Sequence, residues 1–468
     1  MTELRPYPKY HDSDVAWLGD IPAHWERAHG SAVLQQKKVS NRGMVESTVL
    51  SLSYGRIVIK PPEKLHGLVP ESFETYQVVD PGDIIIRPTD LQNDWTTIRV
   101  GLAQDRGIIT SAYLCFRTRE PLSAEYAHLL LLGYDLKKVF YGMGSGLRQN
   151  LDWSDFKRMP ILLPPTDEQQ AIVRFVRDLD KKINRFIRNR RRLIEVLNEH
   201  KQAIINRAVT RGLNPNAPLK PSGIEWLGDI PAHWEAKRGK YLFREIDSRS
   251  MTGDETHLSM SQRHGLIPSA QITERRLMSE SYIGGKLCEQ DDLVLNRLKA
   301  HLGVFALAPE PGIVSPDYTV FRARCSLCPK FYEYFYRTPL CRVELRKRAK
   351  GIVQGFWRLY TDDFYDIPVP VPPVDEQTAI VELLGDQLAQ INSAIEREYR
   401  EIDLIREYRT RLIADVVTGK VDVRHLAPAS GDESAEVEPE ALDEGIDDEE
   451  MPGDDEPELV EETGDSDD

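Results

Sequence analysis

The chain contains one ten-residue string twice. Trp17-Leu-Gly-Asp-Ile-Pro-Ala-His-Trp-Glu26 recurs unchanged as Trp226 to Glu235, an offset of 209. A second block, Pro164-Pro-Thr-Asp-Glu-Gln-Gln-Ala-Ile-Val173, returns as Pro372-Pro-Val-Asp-Glu-Gln-Thr-Ala-Ile-Val381, at offset 208. Asp155-Phe156 and Pro160 likewise match Asp363-Phe364 and Pro368. Blocks at both ends of a unit that keep nearly one spacing imply a duplicated architecture of two similar bodies.

Between the blocks the copies diverge. Asp83-Ile-Ile-Ile86 still faces Asp292-Leu-Val-Leu295, and Tyr113-Leu-Cys-Phe116 faces Tyr318-Thr-Val-Phe321. A frame kept while its contents change suits two similar bodies with different surface readouts; a drifted old duplication would leave the same trace. Within the divergent segments, 28–160 and 237–368, Asp83 to Ile86, Ile108 to Phe116, Leu293 to Leu295 and Tyr318 to Phe321 read as strands. Ala124 to Leu132 reads as helix. Each segment is expected to be one α+β domain.

After each Pro-Pro the pattern becomes a long helix, with Asp167 and Asp375 as expected N-caps. Apolar residues at Ile172, Val176, Leu179, Ile183, Phe186, Leu193, Leu197 and Ile204 follow alternating steps of four and three, with gaps at Arg190 and His200, as in a heptad seam. Ile380, Leu384, Ile391, Ala394, Ile405 and Leu412 match them in the second helix. Residues 168–211 carry 12 Lys or Arg against 5 Asp or Glu, and residues 376–420 carry 6 against 9. Opposite charge beside an apolar seam predicts that the two helices pair with each other within one chain; antiparallel pairing would relate the two units by an approximate two-fold axis.

The net charge of −15 argues against nucleic acid only as an average. From Asp432 to Asp468 there are 20 acidic residues and no Lys or Arg, which leaves 60 basic against 55 acidic side chains in the rest. A mildly basic body can bind phosphate where its cations cluster. The tail is expected to be disordered, for want of anything apolar to bury. It either solubilises the chain or competes with DNA for the basic face. Five cysteines, no apolar run of membrane-span length and a polar start point to the cytoplasm.

These two repeated motifs, in this order and at this spacing, resemble those that open each half and each long helix of type I restriction–modification specificity subunits. The resemblance spans residues from about 7 to 424. It implies two globular target-recognition domains with pseudo-two-fold symmetry, separated by two long antiparallel coiled-coil helices and followed by a disordered acidic tail. The expected boundaries are 1–163 for the first domain, 164–212 for the first helix, 213–371 for the second domain, 372–424 for the second helix and 425–468 for the tail. By this resemblance each domain reads one half of a bipartite site in double-stranded DNA. The helices set the gap and dock two methyltransferase subunits, to which motor-nuclease subunits can add. S-adenosylmethionine and ATP would then sit on those partners alone, and this chain would be non-catalytic.

The absence of certain motifs agrees. No Gly-x-x-x-x-Gly-Lys-Ser/Thr is present to cradle a triphosphate. Leu163-Pro-Pro-Thr166 and Val371-Pro-Pro-Val374 lack the amide or acid, and the aromatic, with which aminomethylases hold a flipped base. Cys325-Ser-Leu-Cys328 has zinc-like spacing, but four ligands are normally needed and no second such pair exists; reduced, partly buried thiols are expected, with no metal. Asp20 with His24, repeated as Asp229 with His233, hints at acid–base chemistry, yet the flanking Trp and Ile-Pro favour a turn clamped by aromatic packing.

Arg and Lys fork onto guanine, and Asn and Gln onto adenine. Within the divergent segments the candidate readers are Arg87, Gln92, Asn93, Arg148, Gln149 and Asn150 in the first domain. In the second they are Arg263, His264, Asn296, Arg297, Lys299, His301, Gln354, Trp357 and Arg358. Any one of them can equally be a solvated loop residue. A scaffold of two non-nucleic-acid modules on a coiled coil is the alternative function.

Overall fold

The computed structural model describes residues 4–61, 72–143, 150–261, 265–271, 282–353 and 356–426. It is a mixed helix and strand protein in two compact units: of the described residues, unit 1 holds those up to 190 and 399–426, and unit 2 holds those of 191–398. The expected domain boundaries follow the helices, whereas these units take in parts of both long helices each.

Both units are built on a four-stranded antiparallel sheet. In unit 1 the spatial order is Leu34–Lys37, Leu114–Thr118, Ile84–Ile86, Val100–Leu102; in unit 2 it is Phe243–Ile246, Tyr318–Ala323, Leu293–Asn296, Phe305–Leu307. The Ile108–Phe116 run divides into two strands, Gly107–Ile109 and Leu114–Thr118, that join different sheets. The surviving sequence landmarks now have a reason. Asp83 is wholly buried and accepts from Arg117 Nε at 2.9 Å, and Asp292 takes the Arg322 fork at 2.8 and 2.7 Å. A buried carboxylate demands such a partner. The helix Ala124–Leu136 covers one face of the first sheet, and Pro329–Tyr336 with Pro339–Arg348 packs in the core of unit 2.

The two repeated motifs grip each other. In unit 1 the Glu168 carboxylate, 3% exposed, accepts from Trp25 Nε1 at 3.0 Å and from the Tyr7 hydroxyl, and lies 2.7 Å from His24 Nε2. Gln169 receives the Ser123 N–H and donates to the carbonyls of Pro121 and Pro164. Unit 2 repeats the joint: Glu376 takes Trp234 Nε1 at 3.0 Å and meets His233 Nε2 at 2.7 Å, while Gln377 receives Cys328 N–H and donates to Pro372. The aromatic turn and the first turn of each long helix thus form one hydrogen-bonded joint. Trp17 adds an edge-on contact with Tyr134 at 4.8 Å.

The long helices run Thr166–Arg211 and Val374–Val417. They start earlier than expected: Pro165 and Pro373 supply the carbonyls that receive Gln169 and Gln377 N–H, so Asp167 and Asp375 lie inside the first turn, where a negative charge offsets the helix dipole. Inside unit 1, Ile172 and Val176 share a core with Leu412, Ile413, Val416 and Val417, and inside unit 2, Ile205, Ala208 and Val209 share one with Ile380, Leu384 and Leu388. Within each unit the segments are antiparallel. Asp180 pairs with Arg409 through two contacts of 2.7 and 3.0 Å and Arg190 with Glu401 at 3.0 Å in unit 1; Lys201 donates to Asn392 at 2.8 Å in unit 2. The Asp180–Arg409 pair reverses the expected charge order, its acid coming from the basic helix.

The buried stripe departs from a strict heptad. Ile172, Val176 and Ile183 are buried, and Leu179 packs half-buried on the unit 1 core. Beyond them the buried residues are Ile187, Ile194 and Ile205, each one place later than Phe186, Leu193 and Ile204, and Leu193 is 39% exposed. Leu197 is half-buried. Spacings of eleven from Ile183 to Ile194 to Ile205 follow from the helix itself: at 3.6 residues per turn its face drifts ~20° per heptad from a 3.5 repeat. On the second helix Ile391, Ala394 and Ile405 are half-buried, and Leu388, Ile402 and Ile413 carry the buried stripe with Ile380, Leu384 and Leu412.

Each long helix ends on a glycine with left-handed backbone, Gly212 at φ +70° and Gly419 at φ +76°. A β-carbon on Gly212 would meet Trp234 at 3.1 Å, and one on Gly419 would lie 2.3 Å from Pro22 and 3.1 Å from Trp25. Helix end and motif therefore touch in both units. Unit 2 continues unbroken from Gly212 into the strand Leu219–Pro221, which pairs with Asp229–Pro231. Unit 1 is completed instead by both ends of the described chain: Asp422 N donates to Arg5 O at 2.8 Å, and the Arg424 guanidinium sits 5.0 Å over the Tyr7 ring.

Candidate nucleic-acid interface

In both units one sheet connection leaves the strands and returns against a second, distant loop. The connection from Ile84–Ile86 to Val100–Leu102 meets the segment before helix Trp153–Arg158, where Leu151 N donates to Pro88 O at 2.9 Å. In unit 2 the link from Leu293–Asn296 to Phe305–Leu307 meets the segment before helix Thr361–Tyr365, where Leu359 N donates to Arg297 O at 3.1 Å. Sequence positions some sixty residues apart thereby become one surface in each unit.

In unit 1 this surface carries four of the candidate readers. Gln92 and Asn93 are exposed, and Arg87, half-buried, pairs with Asp94 at 3.4 Å. Asn93 donates to Asp90 Oδ1 at 2.8 Å, and Asn150 Oδ1 accepts Asp90 N–H at 3.1 Å, so both amides brace the loop. Arg148 and Gln149 lie outside the described residues. The residue that sequence reasoning missed is Arg99. It is wholly buried, and its guanidinium donates to the carbonyls of Thr89 at 2.6 Å, Asp90 at 3.2 Å and Asp94 at 2.7 Å. Its own N–H donates to Asp135 at 2.6 Å. Burial pushes the Asp135 carboxyl up to about 6, against the pull of that N–H and of the cations Lys138 and Arg99. The available signal was an arginine abutting the apolar strand Val100–Leu102, since an arginine is seldom fully buried without partners.

Unit 2 shapes the same connection differently. Residues Arg297–Leu302 form a short 3-10 helix, and Asn296, 5% exposed, caps it by accepting from Leu298 N and Lys299 N at 3.1 and 3.3 Å. Its carboxamide is therefore committed to the fold rather than open to a base. Asp317 draws two predicted readers together: Arg297 donates to its carbonyl at 2.8 Å and Arg358 to its carboxylate at 3.1 Å. Trp357 is 38% exposed beside them. Lys299 and His301 ride on the 3-10 helix, and burial, then the Arg346 and Lys299 cations, hold the His301 imidazole below its usual pKa. Arg263, His264 and Gln354 lie outside the described residues.

His24 and His233 face the glutamates of the joint, whereas Asp20 and Asp229 lie exposed in short strands. Cys325 is exposed and Cys328 half-buried, and among the described residues no three His, Cys, Asp or Glu side chains are grouped to hold a metal ion. Burial pushes the Cys115 thiol up to about 12 and Cys288 to about 11, so both behave as small apolar core groups. Among the described residues no helix is long and apolar enough to cross a membrane. What the two surfaces offer is guanidinium, carboxamide and indole groups on braced loops: hydrogen-bond donors and acceptors suited to base edges and phosphates.

Comparison with known proteins bears on these surfaces. A family model described as the type I restriction modification DNA specificity domain matches residues 56–196. The chain is 20% identical over 433 residues to the putative type I restriction enzyme MjaX specificity subunit of Methanocaldococcus jannaschii, covering 87% of this chain and 96% of that one. It is 24% identical over 372 residues to the type I restriction enzyme MjaVIII specificity subunit of the same organism, covering 74% and 82%. Among solved structures, a chain from a study of complex assembly and conformational transition of the type I R-M system superposes with a TM-score of 0.58 at 15% identity, covering 85% of this chain and 98% of that one.

Proposed function

We infer that this chain, which belongs to the type I restriction–modification specificity subunits, selects DNA by its sequence. The observation that carries this reading is the overlap between the matched specificity domain, 56–196, and the braced variable loop surface around Arg87, Gln92 and Asn150. Each unit reads one half of a split site. Two bodies with a shared motif joint and unlike loops are what such a division of labour requires. The long helices fix the gap and offer their outer faces to two methyltransferase subunits, and motor-nuclease subunits join that assembly in the cytoplasm. In this reading the chain performs no chemistry and holds no cofactor; S-adenosylmethionine and ATP act on the partners.

Lys and Arg contacts to phosphate supply affinity that falls steeply with salt, and the loop side chains supply the sequence preference. The test is selection. The full chain, purified with its methyltransferase subunits, is offered a pool of randomised duplexes, and the retained molecules are sequenced. The expected result is two short conserved blocks at one fixed gap, with retention lost as salt rises. Retention without any enriched sequence, or insensitive to salt, would favour a scaffold of non-nucleic-acid modules.

A further inference from the structure

The loop 87–98 has no helix or strand of its own, yet it is organised around a single buried cation. Burying a guanidinium is costly unless its donors are satisfied. Arg99 satisfies them almost entirely with the loop's main chain: the carbonyls of Thr89, Asp90 and Asp94, a longer contact of 3.4 Å to Arg87 O, and the Tyr141 hydroxyl at 3.2 Å. The Asp94 carboxylate lies 3.8 Å away. A planar five-donor fork that holds carbonyls spread along one loop sets the loop's shape before any ligand arrives. Preorganisation of this kind lowers the ordering cost of binding.

The outward side chains are Gln92, Asn93, Trp95 and Thr96. Asn93 is engaged by Asp90. Trp95 stacks on Tyr141, with ring centroids 4.5 Å apart, and its indole N–H donates to the carbonyl of Gln92 at 3.1 Å, which anchors that residue's backbone. Gln92 itself is exposed, and among the described residues its carboxamide has no hydrogen-bond partner. A carboxamide on an immobilised backbone can donate to N7 and accept from the N6 amino group of one adenine in the major groove.

Resting on the DNA-reading function above, we propose that Gln92 reads an adenine for unit 1 and that Arg99 is the positioning residue that holds it in register.

The test uses the same complex and randomised duplexes with two variants. Gln92→Ala alters an exposed side chain. It is expected to cut the preference for adenine at one position about tenfold, leaving the other positions of that half-site, and the whole other half-site, unchanged. Arg99→Lys keeps the charge and loses the fork. It is expected to relax several positions of that same half-site together while salt-dependent retention of random DNA persists, an outcome that general unfolding of unit 1 does not give. Should Arg99→Lys fail to fold, Tyr141→Phe removes one of the fork's acceptors and is expected to relax the same positions more weakly. An unchanged motif with Gln92→Ala, or loss of preference for a base other than adenine, overturns the assignment while the DNA-reading function stands. A wild-type complex that selects no split motif overturns that function itself.

Discussion

At the joint, His24 and Trp25 meet Glu168 as His233 and Trp234 meet Glu376, contact for contact. At the variable loop the units share main-chain hydrogen bonds, Leu151 to Pro88 with Leu359 to Arg297, and Arg87 to Arg99 with Asn296 to Val304. Unit 1 then folds its loop around the Arg99 guanidinium, whereas unit 2 winds the equivalent stretch into a capped 3-10 helix and ties two arginines to Asp317. Two solutions to the same problem, stiffening a loop that carries polar groups outward, sit on one conserved frame. The frame fixes where that loop lies; the anchor fixes what the loop presents.

Three measurements test how far the likeness extends. The largest effect is expected at the joint. Glu168 is 3% exposed with three donors aimed at it, and Glu376 is 24% exposed with two. Orphaning buried donors costs ~1–3 kcal/mol apiece, so Glu168→Ala should destabilise unit 1 by about 3 kcal/mol or more, and Glu376→Ala unit 2 by about 1–2. Denaturant unfolding followed by tryptophan fluorescence checks this, and equal losses would show that burial does not separate the two joints.

The helix ends give the next contrast. Alanine at either glycine incurs the left-handed backbone penalty of ~1–2 kcal/mol, but at Gly419 it also drives a methyl into the Pro22 ring at 2.3 Å, whereas at Gly212 the nearest atom is a Glu376 carboxylate oxygen at 2.9 Å, the end of a side chain. Gly419→Ala should therefore lower the melting temperature further than Gly212→Ala; the reverse order would place the tighter helix–motif contact in unit 2.

The third contrast is one of pH and belongs to unit 1. Burial, and then the nearby Arg409 cation, press His128 from its ordinary 6.5 down to about 4. A depressed pKa stabilises the fold above 6.5 and loses that contribution as pH falls through 4. Asp135, pushed up to about 6, works oppositely: its contribution is present below its ordinary 3.8 and lost as pH rises through 6. His128→Leu should flatten the acid-side fall in unfolding midpoint between pH 6.5 and 4, and an unaltered slope would remove His128 from the account.

The duplicated motifs made the two-body plan and the helix pairing legible, because an identical string at a fixed offset demands an identical environment. Their purpose was only half visible: an aromatic turn was foreseen, whereas its partner, the glutamate of the other motif, was not, since contacts such as His24 to Glu168 span 144 residues. Of the heptad positions, Ile172, Val176 and Ile183 are buried and Leu179 half-buried, and farther along the buried positions run one residue later, because a straight helix does not keep a 3.5 repeat. Among the reader candidates, exposure separates Gln92 from Asn296. Both are amides near turns in the sequence, but one caps a helix from the inside. Arg99 escaped notice because what it binds is main-chain carbonyl, which has no signature in residue identity.

Unit 1's closure by residues from both ends of the described chain carries a kinetic consequence. Its sheet and first helix segment emerge from the ribosome early, yet Leu412 to Val417 and the Asp422 and Arg424 contacts come last. Unit 2, drawn from one continuous stretch, finds all its pieces sooner. At ~5–20 residues per second the earlier-made unit waits roughly 10–50 s for its missing helix, so the body synthesised first is the one that finishes folding last, and a nascent chain stalled before residue 399 would display the apolar side of Ile172 and Val176 to whatever chaperone is at hand.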